Sequence, residues 1–335
     1  MVISSNLEEM KLQATVIGNY PKIGPKTSAP SLRKAITRYQ LKEITEDELR
    51  QVENEVTFEV LREQEDMGLD IITDGHIRWD DPQTYFASKI QGFQINGLIR
   101  YFDTNTYYRQ PVALDKLEWI DPISVKDYQF AKTCSSLPVK VVITGPFTLA
   151  NLCQSRYYKD LASMAKDLAI VLNKEAIALA EAGVPIIQFD EPAILHHKDQ
   201  LPLFLDLMNG LLEGVNTRKA LCTYFGDLSG IEEEIFDLPF DIFGLDLVTN
   251  GFKIDCLKKF PDAKSIGLGI IDARNVKLES MDEIQSVISE ACHWVDPEKI
   301  QVSPNCGLEF LPRTNARDKL TRMVQAVASA KETIL

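Results

Sequence analysis

Residues 160–192 read DLASMAKDLAIVLNKEAIALAEAGVPIIQFDEP. Leu161, Met164, Leu168, Val171 and Leu172 recur at helical spacing, which predicts an amphipathic helix over Asp160–Ala182. Gly183 stands where a helix C-cap takes a left-handed residue. The apolar run Pro185–Phe189 then predicts a short buried strand, and it ends on Asp190-Glu191-Pro192. A helix, a glycine, a buried strand and a polar strand end make one unit of α/β architecture.

The unit repeats along the chain. Short apolar runs predict strands at Ala14–Gly18, Asp70–Thr73, Lys140–Ile143, Ala220–Tyr224, Asp241–Asp246, Ser265–Ile270 and Ile300–Ser303. Helical patterns fall between them, at Glu46–Met67 with Thr45 as N-cap, Leu201–Leu212, Met281–Val295 and Asn315–Ile334. Eight strands alternating with helices predict a (β/α)8 TIM barrel. An open doubly wound sheet competes, but no GxGxxG turn follows the first strand. From about residue 80 to 138 the rhythm breaks, and Asn96-Gly97 carries a hairpin signal. This stretch is expected to be a β-hairpin insertion after strand two, inside a single domain spanning 1–335.

A net charge of -13 argues against nucleic acid or an anionic membrane surface as partner. No apolar run is long enough for a membrane span, and the N-terminus lacks a signal-peptide layout, so a cytoplasmic location is expected. The six cysteines are scattered, with no CxxC pair, and most are expected to be buried small hydrophobes.

In a barrel of this kind the strand ends converge on one rim, where chemistry is done. Asp190 and Glu191 are either a helix N-cap or carboxylates gripping a substrate ammonium, and strand alternation sends only one of them inward. His76, just past a strand end beside Asp74, is either structural or an acid/base or ligand. Asp246 and Cys306 each end a buried strand and could supply two zinc ligands, with Cys222 as a third ligand or as core filler. The basic loop carrying Lys22 and Lys26 is either solvated surface or a seat for an anionic tail.

Val16-Ile17-Gly18-Asn19-Tyr20-Pro21, Thr144-Gly145-Pro146-Phe147-Thr148 and Ile187-Gln188-Phe189-Asp190-Glu191-Pro192-Ala193 resemble motifs common to both barrels of the full-length enzymes of the cobalamin-independent methionine synthase family. Ser303-Pro304-Asn305-Cys306-Gly307-Leu308 is similar to the last-strand motif of the catalytic barrel, whose cysteine is a zinc ligand. Tyr101-Phe102-Asp103-Thr104-Asn105, Thr223-Tyr224-Phe225-Gly226-Asp227 and Ile271-Asp272-Ala273-Arg274-Asn275 look instead like the amino-terminal barrel.

The resemblance implies methyl transfer to the thiol of homocysteine, with zinc lowering the thiol pKa. Asp190 then matches the carboxylate that holds the amino group, and the backbone of Ile17-Gly18-Asn19 matches the loop that holds the substrate carboxylate. Glu191 and Tyr224 join the substrate-binding set, and Lys22 and Lys26 the donor-binding set. The family's His-x-Cys zinc pair falls on Leu221 and Thr223, and its zinc glutamate on Asp246. His76 stands where a glutamate helps hold homocysteine. A non-standard zinc site would use Cys306, Asp246 and either His76 or Cys222. The methyl donor would be a methylated folate or pterin, or a methylated corrinoid protein. The alternative is an accessory barrel that binds the donor and pairs with a second, catalytic barrel subunit.

Overall fold

The computed structural model describes residues 12–24 and 29–334. In chain order its strands are β1 (Gln13–Ala14), β2 (Gln91–Arg100), β3 (Tyr107–Glu118), β4 (Val141–Thr144), β5 (Gln154–Ser155), β6 (Ile186–Asp190), β7 (Arg218–Thr223), β8 (Ile242–Asp246), β9 (Ser265–Ile271) and β10 (Ile300–Pro304). A curled, all-parallel sheet of seven strands runs β1-β10-β9-β8-β7-β6-β4.

The segment expected as the second strand, Asp70–Thr73, makes only isolated parallel bridges, Thr15 with Ile71 and Ile72 with Val139. Side chains occupy the neighbouring ladder positions. The Asp70 carboxylate accepts the Ala14 N–H at 2.7 Å, and Gln64 bonds both the N–H and the carbonyl of Thr73 at 3.1 and 2.8 Å.

Residues of the concave face alternate with residues facing the helices. Ile71, Ile186, Ala220 and Ile242 form a separate apolar cluster, and Lys140, Gln188, Cys222 and Gln301 surround a small void beside it. Ile187, Phe189, Leu221 and Phe243 belong instead to the main core under the helices. Gly244 lets two strands pack this closely, because a Cβ there would lie 2.4 Å from the Cys222 sulfur.

The helices follow their sequence signals. Glu46–Asp66 starts with the Thr45/Glu48 capping box, and Leu161–Glu181 has Asp160 accepting the Ser163 N–H at its start. Gly183 takes the left-handed conformation, φ +82°, just beyond.

The stretch without helix–strand rhythm forms an antiparallel ribbon of β2 and β3, with β5 alongside β3. Its turn is not at Asn96-Gly97, which lies inside β2 where the register shifts between Ile95 and Leu98. The pair therefore sits at a bulge, while the glycine the ribbon requires is Gly92 at its other register shift, at φ +97°, where a Cβ would lie 2.4 Å from the Lys116 carbonyl. The chain reverses over residues 101–106 instead, tied by the Tyr101 N–H to the Thr106 carbonyl at 3.0 Å. That tip leans over the strand ends, with Phe102 stacked on His196 and Arg274 donating to the Asp103 carbonyl. Among the described residues no helix is long and apolar enough to cross a membrane.

Candidate functional site

Asp190 ends β6 on the concave face and is buried. Gln188 donates to its Oδ1 at 2.7 Å and the Tyr224 hydroxyl to its Oδ2 at 3.1 Å. Burial, only partly offset by those two bonds, pushes its pKa up to about 7. A carboxylate so desolvated gains from an arriving cation, which makes it a fitting seat for an ammonium group. Ile17, Asn19, His76, Tyr101 and Tyr224 share a small enclosed cavity with it, of about 10 Å³. That is room for about one water, so a substrate requires the Tyr101 tip of the ribbon to shift.

Glu191 points the other way. It is fully buried at the start of the helix Pro146–Leu152, where it accepts the N–H groups of Phe147 and Thr148 at 2.9 and 2.7 Å. Gly145 makes the approach possible, since a Cβ there would lie 2.2 Å from Glu191 Oε1. Of the two carboxylates expected at the strand end, Asp190 alone reaches the cavity, and Glu191 fills the capping role.

His76 is buried at φ +52°, stacked on Trp79 at 3.7 Å, with Trp79 stacked in turn on Tyr85 at 4.7 Å. Burial, with the Lys22 charge adding to it, lowers its pKa to about 3. Its Nε2 meets the Val142 carbonyl at 3.1 Å, and its Nδ1 meets the Asn19 side-chain amide. Asn19 donates on to Glu309 Oε1 at 2.9 Å, whereas Glu309 Oε2 is buried with no hydrogen-bond partner among the described residues. Gly18 packs beneath, where a Cβ would lie 3.1 Å from the His76 ring.

Outside the small cavity runs a groove of about 860 Å³ that shares Asn19, Pro82, Tyr101 and Glu309 with it. Lys22 lines the groove and donates to the Trp79 carbonyl. Its burial lowers its pKa, against the pull of Asp80, Asp81 and Glu309. Two further donors there, Trp79 Nε1 and Gln83 Nε2, are buried without hydrogen-bond partners among the described residues. Lys26 lies outside the described residues.

The proposed metal ligands do not come together. Among the described residues no group of three or more His, Cys, Asp or Glu side chains is placed to hold a metal ion. Asp246 is spent on backbone and side-chain donors. Its Oδ2 accepts the Phe225 N–H at 3.0 Å and the Thr249 hydroxyl at 2.6 Å, and its Oδ1 accepts the Thr249 N–H at 2.9 Å and Asn305 Nδ2 at 3.1 Å. Cys306 is wholly buried, its thiol 3.6 Å from the Gly307 carbonyl, and burial holds its pKa well above the ordinary thiol value. Cys222 packs against Gly244 and is pushed up to about 12, chiefly by burial. Both ring nitrogens of His76 are engaged as described. At the positions matched to the His-x-Cys pair, Leu221 belongs to the core under the helices, while Ala220 and Cys222 occupy the concave face.

Sequence reasoning passed over Glu309, Trp79 and Tyr101. Glu309 carried a usable signal, since it stands three residues past Cys306 at a strand exit, the same criterion that singled out Asp190. Tyr101 opens a string that resembles the family's amino-terminal barrel, but its place over the cavity depends on where the ribbon turns, which spacing does not show.

A family model described as "Cobalamin-independent synthase, Catalytic domain" matches residues 12–205 and 213–329. A methionine synthase of Sulfurisphaera tokodaii is 35% identical over 323 residues, covering 96% of this chain and 93% of its own length. One of Pyrococcus furiosus is 33% identical over 326 residues, with coverage of 96% and 93%. In three dimensions the chain resembles a B12-independent methionine synthase from Shewanella sp. W3-18-1, solved with selenomethionine. That likeness has a TM-score of 0.85 at 21% identity and covers 97% of this chain and 99% of the other.

Proposed function

The chain belongs to the cobalamin-independent methionine synthase family, and from that premise we propose that it is an S-methyltransferase that methylates the thiol of homocysteine in methionine biosynthesis. The observation that carries this reading is Asp190, a desolvated carboxylate at a strand end inside a closed polar cavity. It suits the ammonium group of an amino acid, held by a charge-assisted hydrogen bond. Tyr224 and Gln188 fix the carboxylate's orientation, and the backbone around Ile17, Gly18 and Asn19 forms the adjoining wall for the substrate carboxylate.

The large groove is the seat of the methyl donor in this reading. Its buried unpaired donors, Trp79 Nε1 and Gln83 Nε2, suit an acceptor-rich ring such as a methylated folate or pterin, and Lys22 suits an anionic tail. A methylated corrinoid protein is the other donor class, and it would need the groove to admit a macrocycle. Zinc is given no step here, because Cys306, Asp246, His76 and Cys222 do not fit together as a ligand set.

We also read the curled sheet as a full (β/α)8 barrel in one domain, with residues 71–72 standing in for the second stave and the ribbon inserted after it. The two isolated bridges support this, since they link the sheet's edges. The work is assigned to the cytoplasm. The accessory-barrel reading is not favoured, because relatives of nearly this length themselves carry the methionine synthase name. The test is direct. The purified protein, given homocysteine and a methylated folate, should form methionine without a second polypeptide. Formation of methionine only when a separate barrel subunit is added would refute the proposal.

A further inference from the structure

We propose that Glu309 takes the proton from the homocysteine thiol, with Asn19 and His76 as its positioning residues. The proposal rests on the homocysteine-methylating reading above. An alkyl thiol titrates near ~8.5, so at neutral pH the reaction needs a group that generates the thiolate. The residues present do not assemble a metal set for that task, so a base must be sought among the groups that line the cavity.

Both ring nitrogens of His76 are engaged, and Tyr101 keeps its phenol proton, its pKa pushed well up by burial, which leaves the carboxylates and thiols. Asp190 is assigned to the ammonium, and Tyr224 donates its hydroxyl to Asp190. Cys306 is sealed from the cavity and its thiol is turned to a backbone carbonyl. Glu309 sits on the 3₁₀ turn Leu308–Phe310, lines the same cavity as Asp190 and has one oxygen, Oε2, without a hydrogen-bond partner among the described residues. The chain makes room for that oxygen with a glycine, since a Cβ on Gly307 would lie 2.1 Å from Glu309 Oε2.

Hydrogen counting sharpens the assignment. The Val142 carbonyl can only accept, so His76 Nε2 carries a hydrogen. If His76 is neutral, its bare Nδ1 needs a donor. Asn19 must then turn its NH₂ to the ring and its carbonyl to Glu309, which has to be protonated. If Glu309 is ionised, Asn19 turns its NH₂ to the carboxylate and its carbonyl to the ring, whose Nδ1 then carries a second hydrogen. The trio therefore holds one proton, at one end or the other. Burial works against the charged pair, whereas the Asn19 orientation in the structure, with its NH₂ on Glu309 Oε1 and its carbonyl on the ring, is the one that goes with ionised Glu309. Lys22 pulls toward ionised Glu309, and so does an ammonium arriving on Asp190.

In the step itself the S–H bond breaks and an O–H bond forms at Glu309 Oε2. The sulfur pair attacks the methyl carbon and the C–S bond forms. The bond from that carbon to the donor breaks, leaving its electron pair on the donor atom. Glu309 then returns the proton to that atom.

The experiment compares wild type with Glu309→Gln and Glu309→Asp. Methionine binding by each variant verifies the fold, since methionine offers the ammonium without a thiol hydrogen. At neutral pH Glu309→Gln should lose about 100-fold or more in kcat, with partial recovery in Glu309→Asp. Wild type should lose rate on the acid side as Glu309 is protonated. The Gln variant should instead climb with pH as the thiol ionises by itself. Asn19→Ala should move the acid limb without abolishing it. In a weakly buffered indicator solution, homocysteine should release no more protons from wild type than methionine does. A Gln variant with wild-type rate and pH profile would overturn the proposal, as would one extra proton released per site. Absence of methionine formation by wild type would instead overturn the underlying function.

Discussion

Asp190→Asn separates the stability cost of the candidate ammonium seat from its use. Burial raises the Asp190 pKa from 3.8 to about 7. A raised folded-state pKa means that the folded protein binds this proton more tightly than the unfolded chain. Its favourable contribution is thus complete below the unfolded value, and it is lost as pH rises through the folded one. At pH ~8 the shift corresponds to about 4 kcal/mol of destabilisation, at ~1.4 kcal/mol per pKa unit.

Asparagine removes that penalty but satisfies its neighbours less well. Its carbonyl keeps the Gln188 bond when its NH₂ faces Tyr224, whose hydroxyl must then turn from donor to acceptor. Reversing that buried contact costs about 1–3 kcal/mol at most, so a net gain of about 1–3 kcal/mol or somewhat more is expected at pH ~8. The gain should shrink steadily below pH ~7 and turn into a loss in acid, where wild-type Asp190 is neutral and fully bonded. Urea unfolding of the two proteins at a series of pH values measures this, with homocysteine binding expected to fail in the variant. A stability difference that does not vary with pH would refute the reasoning, because it would mean that Asp190 does not titrate with folding.

Three further outcomes are expected. Asp246→Ala strips the partners from two backbone N–H groups, a hydroxyl and the Asn305 amide; urea unfolding should show a loss of about 3–5 kcal/mol. Gly244→Ala drives a methyl into the Cys222 sulfur and should cost about 1–3 kcal/mol. Most of that loss should return in the Gly244→Ala/Cys222→Ala double variant, so a thermal-melting double-mutant cycle that gives simple additivity would contradict the packing described. Lys22→Met should raise the KM for a donor with an anionic tail by about tenfold while leaving homocysteine affinity nearly unchanged, as steady-state kinetics and calorimetry would show.

The alternation of strands and helices was legible because buried parallel strands must be apolar runs and their helices must keep a helical stripe. Asp190 was legible for the same reason, since a charge at the end of such a run has few alternatives. The split between Asp190 and Glu191 followed from strand alternation, but which one faced inward depended on strand orientation. The second strand was misjudged in kind. Asp70 and Gln64 occupy ladder groups through their side chains, and no local pattern records that competition. The Asn-Gly signal failed because Gly97 lies within β2 outside the left-handed region that a tight Asn-Gly turn uses, and the chain reverses at residues 101–106 instead. Among the described residues the expected ligands are not brought together, and the reason lies deeper. Cys306, Asp246 and His76 stand at strand exits as ligands would, yet whether a carboxylate is free to ligate depends on backbone N–H groups that sequence spacing does not reveal.

The four-bond arrangement at Asp246 ties the exits of β7, β8 and β10 to one another through Phe225, Thr249 and Asn305. It is a clasp assembled entirely from parts that are covalently attached to the chain. A metal-centred clasp can be emptied by a chelator and a thiolate clasp can be oxidised, whereas this one has no dissociable component. The relative placement of these three strand exits is therefore fixed by groups that belong to the chain itself.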